Sequence, residues 1–168
     1  MIETDRLLLR EMKPEDEDEL NKVWGDPVNM QYYPYIFDEE RVRRWIKTNM
    51  ERYHTFGYGL WAVILKETGE LIGDCGLSMQ LIKGQIKPEI GYHIRRDCHR
   101  KGYGTEAARA CRDWAFEHTT YNILYSYMKY DNAGSYSTAI ANGMKLVDEF
   151  EDDANAFTKV YAITRKEW

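Results

Sequence analysis

The sequence predicts one α/β domain built on a mixed sheet. Three observations lead there. Strand-like and helix-like segments alternate along the chain, which calls for helices packed on a sheet. The length of 168 residues suits one domain, with neither an internal repeat nor a linker to divide it. No apolar run approaches the ~20 residues of a membrane helix, and Glu3, Asp5 and Arg6 leave no secretory-type start.

The elements follow in order. Arg6 to Met12 reads as a strand, with Leu7 and Leu9 on one face. Pro14 and Asp16 open a helix that ends near Gly25, and Glu15 to Glu19 reads as its solvated, helix-initiating face. Asp38 caps a second helix, with Val42, Trp45, Ile46 and Met50 on one stripe. Tyr58 to Leu65 and Leu71 to Leu77 are strands joined by a turn at Glu67 to Glu70, and Pro88 to Ile94 is a further strand. A glycine-containing loop then enters a helix near Gly104 or Thr105. Asn122 to Met128 is a strand. Asn132 to Ala141 is a short helix ended by Asn142-Gly143. Lys145 to Phe150 and Phe157 to Thr164 close the sheet around the acidic loop Glu151-Asp152-Asp153.

The chain is organised around Arg95 to Glu117. Gly102 and Gly104 free the backbone before a helix whose apolar stripe is Ala107, Ala108, Cys111, Trp114 and Ala115. First-turn N–H groups without intrahelical partners, the helix dipole, and the charges of Arg100 and Lys101 together make an anion site suited to a pyrophosphate. Gly102, Gly104 and Ala107 formally match a dinucleotide fingerprint. The preceding strand ends too early for it, however, and the following strand brings no acid until Asp131. A Walker loop would need Gly-Lys-Ser/Thr, which is absent. On local spacing, a plain glycine turn before a surface helix stays open.

Pro88 to Ile94 followed by His99-Arg100-Lys101-Gly102-Tyr103-Gly104-Thr105-Glu106-Ala107 resembles the cofactor motif of the GNAT N-acetyltransferases. Asn132, Ser135 and Asn142-Gly143-Met144 resemble a downstream segment of that superfamily, and Glu3 to Arg10 resembles the first strand of its RimJ/RimL-like branch. The resemblance runs almost end to end; His99 departs from it, standing where Gln or Arg is usual. It implies a GNAT-like acyl-CoA N-acyltransferase fold, a twisted mixed sheet whose central strands splay into a V-shaped slot. It implies acetyl-CoA as acyl donor and a primary amine as acceptor, either a protein N-terminus or a small-molecule amine, joined through a tetrahedral intermediate. It also implies cofactor contacts from Ile94, Arg95, Arg96, His99, Arg100, Lys101, Gly102, Tyr103, Gly104, Thr105, Asn132 and Ser135.

The amine must lose a proton before it attacks, because an α-amine titrates near ~8 and a lysine amine near ~10.4. Glu89, where the resemblance places an active-site acid, is the first candidate base, against the alternative of a solvent-facing glutamate. His93 is the second, against that of a packed core histidine, and alternation puts Glu89, Gly91 and His93 on one strand face. Many GNAT enzymes carry a leaving-group tyrosine seven positions after the asparagine; here that position is Ala139. Ser135 and its neighbour Tyr136 are the candidates in its place, though a serine there also suits a helix cap.

Two aromatic stretches, Gln31 to Phe37 and Tyr53 to Tyr58, are candidates for pocket lining or for core. Cys75, Cys98 and Cys111, odd in number and without metal-type spacing, read as free thiols of a reducing, cytoplasmic compartment, and no metal is expected. The net charge of −5 argues against general binding to nucleic acid or an anionic membrane and is compatible with a cationic amine. A homodimer is left open. A non-catalytic acyl-CoA-binding sensor is the alternative to an enzyme.

Overall fold

The computed structural model describes residues 1–34, 36–152 and 156–168. Eight strands form one sheet in the order β1-β2-β3-β4-β5-β6-β8-β7. They are β1 (Ile2–Glu3), β2 (Leu7–Arg10), β3 (Leu60–Leu65), β4 (Leu71–Ile82), β5 (Gln85–Ile94), β6 (Ile123–Lys129), β7 (Lys145–Asp152) and β8 (Ala156–Thr164). Four helices cover it: α1 (Glu17–Trp24), α2 (Glu39–Phe56), α3 (Tyr103–His118) and α4 (Ala133–Ala141). Every strand pairing is antiparallel except β5 with β6, so the sheet is mixed, as the alternation predicts.

Most predicted elements form near their predicted bounds. Asp38 caps α2 by accepting the Arg41 N–H at 2.8 Å. The stripe of α2 differs from the predicted one. Met50 is exposed, and Asn49 is buried instead, accepting the Leu60 N–H at 2.9 Å and donating to the Trp45 carbonyl at 3.0 Å. The acidic start of α1 is also more than a solvated face. Asp16 is buried and takes a two-pronged pair from Arg10, both contacts at 2.7 Å, plus the Lys13 N–H. The predicted strand ending at Leu77 instead runs to Ile82. It turns through Lys83 and Gly84, both left-handed, into β5, as a two-residue hairpin requires. Of the closing acidic loop, Asp153 lies outside the described residues.

The feature that positions the site is a failure of pairing. β5 and β6 share one register pair, Glu89 with Tyr125. Pro88, just before it, has no N–H to give to β6. Just after it, the Ile90 carbonyl is met by the buried Ser126 hydroxyl at 2.7 Å rather than by β6 backbone. Beyond that point the strands part, leaving the edge of β5 from Gly91 to Ile94 facing an opening. Alternation along β5 divides the layers. His93 lies opposite Asp74 toward α1 and α2, while Tyr92 lies opposite Cys75, which meets Cys111 of α3.

Candidate active site

Two cavities flank the opening. The larger, about 570 Å³, is lined by Ile94, His99, Arg100, Gly102, Tyr103, Gly104, Thr105 and the start of α4. Its wall is built from backbone in an unusual shape. Arg100 (φ 61°) and Gly102 (φ 83°) are left-handed, and Gly102 caps α3. The first helical bond is Glu106 N–H to the Gly102 carbonyl, so the N–H groups of Tyr103, Gly104 and Thr105 have no intrahelical partner. A methyl group on Gly104 would meet only Ile94 Cγ1, at 3.6 Å, so bare backbone faces the cavity.

Long-range contacts lock this loop. Glu106 accepts from Thr4 Oγ1 (2.6 Å) and from Arg6 N (3.0 Å) and Nε (2.7 Å), and Arg6 donates to the Lys101 carbonyl at 2.9 Å. Burial pushes the Glu106 carboxyl up, but the Thr4 and Arg6 hydrogen bonds outweigh it and hold the group below its ordinary value. His99 Nε2 sits 2.7 Å from the Ile94 carbonyl and ties the loop to the end of β5. Three predicted cofactor residues do not line the cavity. Arg95 is committed to Asp97 at 2.7 Å, Arg96 to Asp26 at 3.2 Å, and Lys101 reaches the network through its carbonyl alone.

The second cavity, about 390 Å³, lies on the other side of the opening. Tyr32, Tyr33, Pro34 and Phe37 line it, so the first aromatic stretch is pocket wall; Tyr35 lies outside the described residues. The second aromatic stretch is structural: Tyr53 donates to the Leu60 carbonyl, and the Tyr58 and Tyr121 hydroxyls meet at 2.7 Å. Glu89 faces this cavity and is 8% exposed, with Ser78 Oγ at 3.5 Å. Burial penalises its charged form and pushes its pKa up to about 7, although His93, the Tyr127 backbone, Gln80 and Ser78 act in the opposite direction. The solvent-facing alternative for Glu89 is therefore excluded.

His93 lines both cavities. Its Nδ1 lies 2.6 Å from Asp74 Oδ1, and Asp74 is fully buried. Asp74 Oδ2 accepts the indole N–H of Trp24 (3.0 Å) and of Trp45 (2.8 Å). With Asp74 as acceptor, the histidine carries its proton on Nδ1, which leaves Nε2 unprotonated in the neutral ring. Sequence reading missed Asp74 altogether. Its signal was an acid at an inward position of an apolar strand, a placement that demands partners.

The cavities meet at Tyr92, His93, Asn132 and Ser135, beneath Tyr32 and Tyr33. Asn132 caps α4, accepting the Ser135 N–H at 3.2 Å. The other end of α4 is held by Arg109 and Arg112, which donate to the Ala141 and Asn142 carbonyls. Tyr92 donates to the Ser135 carbonyl at 2.7 Å, and the Ser135 hydroxyl lies 3.4 Å from the Tyr92 hydroxyl. Burial raises the Tyr92 phenol, so it stays protonated. Tyr136 points elsewhere, beneath Lys159 at 4.9 Å, and lines neither cavity. Tyr92 is thus a second residue that sequence reading passed over, a strand tyrosine beside the serine of a distant helix.

Comparison with known proteins agrees with this architecture. The family described as "Acetyltransferase (GNAT) domain" matches residues 6–145. YkkB of Bacillus subtilis (strain 168) is 35% identical over 142 residues, covering 84% of this chain and 83% of that protein. An N-acetyltransferase named p20 of Bacillus licheniformis is 31% identical over 135 residues, covering 79% and 75%. A GNAT-family acetyltransferase structure from Bacillus anthracis superposes with a TM-score of 0.83 at 25% identity, covering 98% of both chains. RimL, a ribosomal L7/L12 α-N-protein acetyltransferase solved with coenzyme A, shares the fold with a TM-score of 0.79 at 16% identity, covering 96% and 95%. The splayed β5–β6 pair, the glycine loop at the head of α3 and the match across residues 6–145 together establish that this chain belongs to the GNAT acetyltransferase family.

Proposed function

We propose that the protein is an N-acetyltransferase that moves the acetyl group of acetyl-CoA to a primary amine. The observation that carries this reading is the pair of cavities meeting at Tyr92, His93, Asn132 and Ser135. One has an anion-binding backbone, and the other has a buried carboxylate with a pKa of about 7. Acetyl-CoA brings a thioester carbonyl, the electrophile of the reaction.

The chain's own residues fit that cosubstrate. The N–H groups of Tyr103, Gly104 and Thr105, with Arg100, suit a pyrophosphate. The β5 edge from Gly91 to Ile94 suits an extended amide-bearing arm, since its outward groups have lost β6 as partner. Glu89 takes the amine's proton, and its raised pKa makes it a usable base near neutral pH. His93, oriented by Asp74, presents Nε2 on the same strand face and serves as a second acceptor for that proton. As the new C–N bond forms and the C–S bond breaks, the departing sulfur needs a proton. The Ser135 hydroxyl, 3.4 Å from the Tyr92 hydroxyl, is one donor at the junction, and the Tyr92 phenol is the other once it turns from the Ser135 carbonyl.

Calorimetry with coenzyme A, paired with acetyl-CoA consumption across an amine panel followed by mass detection, tests the reading. Thioester loss that depends on amine, with acetylated product, is the expected result. Tight coenzyme A binding without turnover on any amine would identify a sensor instead.

A further inference from the structure

The charge of the acceptor-side cavity is opposite in balance to that of the chain. The whole sequence carries 28 acids against 23 bases. The charged residues lining this cavity, histidine aside, are Arg52, Lys129 and Glu89, two cations against one acid. Most of the arginines spend their donors within the chain, and Arg109 and Arg165 do so on backbone carbonyls. Arg6, Arg10, Arg43, Arg44, Arg95, Arg96 and Arg112 each lie within 4.0 Å of a carboxylate. Arg52 has no carboxylate at that distance among the described residues. Its one hydrogen bond there is a long contact to Asn49 Oδ1 at 3.4 Å, and its guanidinium stands 5.6 Å from the Trp45 ring centroid. The group is half-buried, and burial lowers its pKa, as expected for a cation with unmet solvation. Arg100 is in the same position in the other cavity, where the proposed ligand is an anion.

A guanidinium left with most of its five donors free, on an aromatic wall, is built for a planar anion. A plain cationic amine would leave it unmatched and be repelled by it. We propose that the acceptor is a small amino carboxylate, its carboxylate held by Arg52 and its amine presented to Glu89 across the same cavity. This rests on the N-acetyltransferase reading above and narrows its substrate class. The overall charge of −5 is a property of the whole chain and does not describe this cavity.

The test uses the full chain with acetyl-CoA and acceptor pairs differing only in the carboxylate: L-phenylalanine with phenethylamine, and L-lysine with cadaverine. The expected result is a kcat/KM for the amino acid about 10- to 100-fold above that of its decarboxylated partner, the range for a charge-assisted pair. Arg52→Met should bring that ratio toward one, chiefly through KM, with Arg52→Lys in between. Calorimetry of L-phenylalanine into the protein loaded with coenzyme A supplies a readout without turnover, and Arg52→Met should abolish that heat. Equal use of both members of each pair by the wild type would overturn the proposal, even if the variants fail to fold. So would acetylation of a peptide N-terminus but of neither free amino acid, or an unchanged ratio in folded Arg52→Met. Failure of every amine, with L-phenylalanine still bound through Arg52, would refute the transferase reading and leave the carboxylate site standing.

Discussion

Replacing Glu89 with Gln separates the environment of this residue from its role. Its carboxyl is moved from an ordinary 4.5 to about 7 because burial disfavours the charged form. An acid with a raised folded-state pKa binds a proton more tightly folded than unfolded. That contribution to stability is fully present below pH 4.5 and is lost as pH rises through about 7. The full shift corresponds to about 3 kcal/mol. Between pH 5.5 and pH 8.5, with these two pKa values, the wild type loses about 2 kcal/mol that Glu89→Gln does not lose. For a domain of this size that is about 4–8 °C in the difference between the two melting temperatures. Thermal or urea unfolding of both proteins at the two pH values measures it. At the same time, turnover near neutral pH should fall about 10²- to 10⁴-fold, with coenzyme A affinity nearly unchanged. The loss should shrink as pH approaches the amine's own pKa, where solvent supplies free amine. Parallel stability curves would show that Glu89 is not held in a desolvating site. Wild-type turnover with an unchanged pH profile would refute its role as base and move attention to His93. A variant equally slow at every pH would point to positioning of the amine instead.

Three other substitutions probe separate parts of the site. Gly104→Val should keep the fold, since its nearest neighbour is Ile94 Cγ1 at 3.6 Å, yet cut coenzyme A affinity at least about 10-fold. Calorimetry that finds full affinity in the folded variant would remove the loop from the site. Asp74→Asn should destabilise the fold by about 2–4 kcal/mol, measured by urea unfolding, because two indole N–H groups and His93 lose a charged buried acceptor. It should also lower kcat, with KM for acetyl-CoA changed little, because the His93 ring loses the contact that sets its tautomer, an effect that a purely structural Asp74 would not produce. Tyr92→Phe should lower kcat about 10-fold or more with KM for acetyl-CoA changed little, in steady-state kinetics, if the phenol serves the departing sulfur. An unchanged kcat would leave that task to Ser135.

The sequence by itself determined the local structure and picked out the glycine loop that lines one cavity. Alternating apolar residues, the cap at Asp38 and the glycines before α3 are signals carried within a few neighbouring residues, so they were legible without the fold. The hairpin at Lys83-Gly84 was less so, because lysine is not a residue that marks a left-handed turn. Tertiary structure alone decided which charges line a cavity. Arg95 and Arg96 sit in the basic stretch but are consumed by Asp97 and Asp26, whereas Arg52, on a helix with no motif, is left facing a cavity. It also decided that Asp74 would meet Trp24, Trp45 and His93, and Tyr92 would meet Ser135, pairs separated by 19 to 50 residues in the chain. Such contacts have no period and no spacing. They arise where β5 and β6 part, and a strand pairing that stops after one register pair becomes visible only when both strands are in place.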